Sequence, residues 1–176
     1  MKAHRILFVG PAGAGTRTAI AALSEAPVCP TDGKPGAPGG MDLGVLTLAG
    51  GATVQLLGAP GQGGFDVAWS ALARDALGLV ILVDNTRPAP LSDLGLYLEG
   101  FWDELPGLPC VIGVGRTLEC SAPSLDEYAA CLEEHALVLP VVKADVRQRE
   151  DVLLLLDLLL VQLEAMERQG GVEART

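Results

Sequence analysis

The residues best suited to chemistry stand together near the start of the chain, in the run Gly10-Pro11-Ala12-Gly13-Ala14-Gly15-Thr16-Arg17-Thr18. Glycines framing a loop at this separation let successive backbone N–H groups surround a phosphate. The complete pattern continues with a lysine that adds charge and a hydroxyl that binds magnesium. Here Thr16 takes the lysine position and Arg17 the hydroxyl position. A guanidinium carries donors only and cannot ligate a metal. Thr18 keeps a hydroxyl one residue too late. The plainer alternative is a tight strand-to-helix turn, which needs the same glycines. Arg17 is the candidate for compensation, because its fork of donors suits phosphate; otherwise it is a surface arginine.

Other polar candidates are scattered. Arg87 and Arg116 follow apolar runs, at strand ends where ligands bind in open parallel sheets, although such arginines are also commonly solvated loop residues. Asp84 ends another apolar run and lacks a partner at a spacing that would make it an acid or base. His4 and His135 have no metal-ligand spacing to Cys29, Cys110, Cys120 or Cys131, so no metal site is expected. Phe65, Trp69, Leu72, Tyr97, Phe101 and Trp102 gather the scarce aromatics with one leucine. Phe65 and Trp69 are the candidates for a partner-binding surface, with core packing as the alternative.

The elements that must position these residues follow from apolar periodicity. Arg5 to Val9 suits a strand buried on both faces, and Thr18 to Ser24 a helix that Pro27 closes. The proline- and glycine-rich stretch from Pro27 to Gly40 favours an irregular loop. Leu43 to Leu48 and Thr53 to Leu57 form a hairpin through Ala49-Gly-Gly-Ala52. Leu77 to Val83, Cys110 to Val114 and Val138 to Val142 are further strands. Between and after them, Leu91 to Leu105, Ser124 to His135 and Arg149 to Arg168 carry helical spacing. Strands alternating with helices predict an α/β fold: a mainly parallel six-stranded sheet, one antiparallel edge strand, and helices on both faces. Residues 1–168 make the expected domain and 169–176 a flexible tail.

Composition narrows the partners. Lys+Arg 12 against Asp+Glu 22 gives a net charge of -10, which repels nucleic acid and anionic lipid. The longest apolar run, Val152 to Val161, is interrupted by Asp157 and is about half the roughly 20 residues a bilayer span needs. The start of the chain lacks the pattern of a signal peptide, so a cytoplasmic location with reduced cysteines is expected.

Taken in order, Ile6-Leu-Phe-Val-Gly-Pro-Ala-Gly-Ala-Gly15, Met41-Asp-Leu-Gly44, Gly58-Ala-Pro-Gly-Gln62, Leu82-Val-Asp-Asn-Thr-Arg-Pro88 and Arg149-Glu-Asp-Val152 carry a resemblance. The chain resembles the bacterial Ras-like small GTPases of the gliding-protein MglA and Streptomyces conservon type. The resemblance implies a P-loop G domain that binds GTP or GDP with magnesium. It places the nucleotide on Gly10 to Thr18, Gly61, Arg116 and Ala144, and makes Gln62 the candidate catalytic residue that orients attacking water. It also implies a small Roadblock/longin-like partner.

Departures from that family are concentrated on the nucleotide. Its lysine is Thr16, its magnesium threonine is Arg17, its guanine-pairing aspartate is Leu118, and Gly36 to Gly40 hold no switch-one hydroxyl. The expectation is a degenerate small GTPase, a pseudo-GTPase working as a protein-binding or regulatory module with absent or weak nucleotide binding. The alternative is a slow GTP-hydrolysing switch that a partner completes.

Overall fold

A computed structural model describes residues 4–31, 40–58 and 67–173. Gly61, Gln62 and Phe65 lie outside those residues, as do Gly36 to Gly39. The elements run β1 (His4–Val9), α1 (Thr16–Leu23), β2 (Cys29–Pro30), β3 (Asp42–Thr47), β4 (Thr53–Gly58), α2 (Val67–Arg74) and β5 (Gly78–Asp84). Then come α3 (Pro90–Gly100), a 3-10 turn at Leu105–Gly107, β6 (Cys110–Gly115), α4 (Leu125–Glu134), β7 (Val141–Lys143) and α5 (Arg149–Glu173).

The sheet has seven strands in the order β2-β3-β4-β1-β5-β6-β7. From β4 to β7 every pairing is parallel. The strand β3 runs antiparallel to β4, from Asp42 opposite Gly58 to Thr47 opposite Thr53. The expected count of six strands and one antiparallel edge needs correction. Cys29 and Pro30, inside the stretch expected to be irregular, pair antiparallel with Leu43 and Asp42 and make a seventh strand outside β3. An edge tolerates Pro30, whose missing N–H costs least where one side of the strand has no neighbour. The Thr31 amide extends the pairing by donating to the Met41 carbonyl at 2.7 Å. At the other end of the chain, α5 continues past Arg168 to Glu173.

Alternation along the strands sends side chains to opposite faces and builds two cores. Leu7 and Val9 join Leu79, Ile81, Leu98, Phe101, Ile112 and Tyr128 on the α3/α4 side. Ile6 and Phe8 join Ile20, Leu23, Val80, Val152, Leu155 and Leu159 on the α1/α5 side. Helix α1 is tied to α5 by more than apolar contact: Arg149 Nη1 donates to the carbonyls of Ala22 (2.8 Å) and Leu23 (3.1 Å). A cation on the last carbonyls of a helix satisfies orphan acceptors and opposes the helix dipole. Helix α4 begins on a capping box, with Ser124 and Glu127 bonded reciprocally.

Candidate functional site

The C-terminal ends of β1, β5, β6 and β7 open into a cleft of about 440 Å³, lined on one side by Gly13, Ala14, Gly15 and Thr18 and on the other by Asp84, Arg116, Leu118, Lys143, Ala144 and Asp145. Strand order reverses around β1, and open α/β sheets place ligands at such a point.

On the first side, the loop takes up the cradle its glycines allow. Gly13 and Gly15 have φ of 85° and 93°, a region L side chains rarely adopt. The Ala14 amide donates to Pro11 at 3.0 Å, closing the turn, and the Ala19 amide donates to the Gly15 carbonyl at 2.9 Å, opening α1. No side chain caps α1 and its first turn holds no acid. Its amide end is therefore compatible with an anion.

The side chains do not follow the backbone. The Arg17 guanidinium donates to the Asp42 carboxylate through Nη1 and to the Val28 carbonyl through Nη2 at 3.3 Å. It joins α1 to β3 and the segment before β2. Arg87 also has fixed partners: Nε and Nη2 grip Asp93 at 2.6 and 3.3 Å, and Nη1 reaches the Ala12 carbonyl at 3.5 Å. The hydrogen bond that Arg87 donates to the Asp93 carboxylate raises the guanidinium's pKa. Arg87 thus braces the back of the loop.

On the second side, recognition groups are engaged with one another. Arg116, in the left-handed region at φ 56°, sets its Nε 3.4 Å from Asp84 Oδ2. Asp84 Oδ1 accepts from the Thr86 amide (2.8 Å) and hydroxyl (2.6 Å), so both carboxylate oxygens have partners and Asp84 is a turn residue. Leu118 is 99% exposed. Ala144 is buried and its amide donates to Val114 at 3.0 Å, while the Asp145 amide donates to Asp151 at 2.8 Å. The Ala144 amide is thereby already engaged with β6. Arg147 holds Asp145 in a fork, Nε to Oδ1 at 2.8 Å and Nη2 to Oδ2 at 2.7 Å, and keeps its carboxyl at about 2. Val146 lies against the loop itself: a Cβ on Gly15 would stand 2.6 Å from Val146 Cγ2.

Several supports escaped the sequence reading. Asn85, buried just beyond β5, donates to the carbonyls of Cys120 and Pro123 at 3.0 Å each and accepts from the Tyr128 hydroxyl at 2.7 Å. This brace fixes the loop after β6. The only signal for Asn85 was its place in the polar run Asp84-Asn85-Thr86 that ends a buried strand. The contacts of Asp42 and Arg149 carried no local signal, because their partners lie far away in sequence.

Of the aromatic group, Trp69 is half-buried and packs on the α3/α4-side core with Tyr97, while Leu72 and Phe101 are buried and Trp102 is exposed.

The residues present do not fit a magnesium ion. The position of the metal hydroxyl holds the Arg17 guanidinium, which carries donors only and is bound to the Asp42 carboxylate.

Among solved structures, the chain is similar to the G domain of the T. maritima FeoB iron transporter. The TM-score is 0.67 over 92% of this chain and 98% of that one, at 21% identity. The fold is that of a G domain. Identity at this level extends the likeness to the fold alone. No family model matches the sequence, and no curated protein matches it significantly. Within this fold, Gly10 to Gly15 occupy the loop between β1 and α1, Thr16 to Thr18 open α1, and Arg116, Leu118 and Ala144 line the opposite wall of the same cleft. Among the described residues no helix is long and apolar enough to cross a membrane.

Proposed function

We propose that the chain is a degenerate small GTPase that serves as a protein-binding or regulatory module and holds nucleotide weakly or not at all. The observation that carries this reading is the Arg17–Asp42 pair, which puts a fixed cation where the family places a metal ligand. Thr16 supplies no charge, and Leu118 offers an apolar side chain where the family uses a carboxylate. Charge-assisted hydrogen bonds contribute about 1.5 to 3 kcal/mol each, so the missing lysine, aspartate and metal ligand together remove about 5 kcal/mol or more. That is roughly three to four orders of magnitude in affinity. Phosphoryl transfer, which depends on positioning and charge neutralisation, would be reduced further.

The retained cradle favours a second reading, a slow GTP-hydrolysing switch whose site a partner completes. Calorimetric titration with GDP and GTP, with and without magnesium, separates the two. The module reading expects no binding tighter than about 100 µM. Micromolar, magnesium-dependent binding sinks it, and phosphate release abolished by Gln62→Ala would establish the switch. A Roadblock/longin-like protein is the partner class that the resemblance suggests. The surface proposed for it is the segment around Phe65 and Trp69.

A further inference from the structure

Helix α5 is apolar on more than the face it packs. Val152, Leu155, Leu156 and Leu159 are buried against the sheet, as one packed stripe requires. Yet Leu154 and Val161 are 45% and 64% exposed, with half-buried Leu158 between them and exposed Ala165 beyond. Positions 154, 161 and 165 lie as a seam along one side of the helix away from the buried stripe, and half-buried Leu158 between them also packs on the α1/α5-side core. Along one side of that seam run Glu150, Asp157 and Glu164, all exposed and each seven residues from the next. Arg168 lies near the end of this row, paired with Glu164 at 3.4 Å.

We infer that the outer face of α5 is a docking surface for a basic amphipathic helix of a partner protein. The seam supplies the apolar contact, and the acidic row selects lysine or arginine flanking the partner's own apolar stripe. The same row argues against a second copy: two α5 helices packed antiparallel would set Glu150, Asp157 and Glu164 against one another, like charge on like. The surface lies outside the cleft and is independent of whether nucleotide is held.

The test is fluorescence anisotropy of a labelled synthetic peptide of about 18 residues, long enough to form a helix. It carries leucines along one helical face with lysine and arginine beside them, and is titrated with the full chain. A second peptide keeps the leucines and replaces the basic residues with glutamate. The basic peptide is expected to bind with a Kd on the order of 10 µM and the acidic one about tenfold or more weaker. Leu154→Glu with Val161→Glu should weaken the basic peptide about tenfold. Because those substitutions add negative charge, a purely electrostatic attraction would strengthen instead. Circular dichroism checks that the variant folds, and Val161→Ser alone replaces it if it does not. Changing Glu150, Asp157 and Glu164 together to lysine should reverse the preference between the peptides. Equal binding of both peptides, no binding at about 100 µM, or indifference to the seam variants overturns the inference. Sedimentation showing a dimer that Val161→Glu dissolves would overturn it too, by making a second copy the occupant.

Discussion

The two walls of the cleft are built in different ways. The wall built by Gly10 to Thr18 keeps its geometry, because that geometry belongs to the backbone: two glycines at positive φ and an uncapped helix end. The wall built after β6 and β7 has turned inward. Arg116 is on Asp84, Arg147 is on Asp145, and the Ala144 amide is on Val114. A cradle made by main chain does not depend on which side chains flank it, whereas side chains and a single amide that already hold partners in the protein are not free to meet a ligand. Phosphate-like chemistry is therefore more recoverable here than base recognition.

The contrast can be broken most severely at the brace of the second wall. Asn85→Ala strands the Tyr128 hydroxyl and the Cys120 and Pro123 carbonyls. A loss on the order of 3 kcal/mol is expected in thermal or urea unfolding. Faster amide exchange in residues 116–124 should accompany it, while residues 10–18 keep their protection. Unchanged stability would mean the second wall does not depend on this brace.

Repair offers the sharper comparison. Thr16→Lys combined with Arg17→Thr restores charge and hydroxyl on a cradle already shaped for phosphate, and GDP affinity with magnesium should rise about a hundredfold. Leu118→Asp alone should gain less than about tenfold, because the Ala144 amide remains bonded to β6. If Leu118→Asp matches or exceeds the double repair, the ranking of the two walls is wrong.

The smallest effect concerns Asp145. Its ordinary pKa is near 3.8, and the hydrogen bonds from Arg147 hold it at about 2. A lowered folded value means the ion pair stabilises the fold above the unfolded pKa, and that contribution is lost as pH falls through about 2. Carboxyl-carbon NMR should show the depressed titration, and Arg147→Leu should move it back up. Little change in melting temperature is expected, since the pair is exposed.

Much of the fold was legible because apolar runs and glycine spacing are local. Arg5 to Val9, Cys110 to Val114 and the Ala49-Gly-Gly-Ala52 hairpin all lie in or join the expected strands. Cys29–Pro30 was not legible, since two residues in a proline-rich stretch become a strand only when β3 offers an edge. In the site, the positive-φ turns of the loop could be read from its glycines. The destination of Arg17 could not: Asp42 is its partner through a fold-level approach of α1 to β3. The same holds for Arg149 on α1 and Tyr128 on Asn85, pairs separated by long stretches of chain.

The Arg17–Asp42 contact has a consequence for how such a domain meets its environment. A metal ion exchanges with solvent, and its occupancy follows concentration and chelation. A guanidinium attached to α1 does neither. The junction between α1 and β3 therefore carries its positive charge permanently, at any magnesium level, and the only way to remove that charge from the junction is to move the side chain.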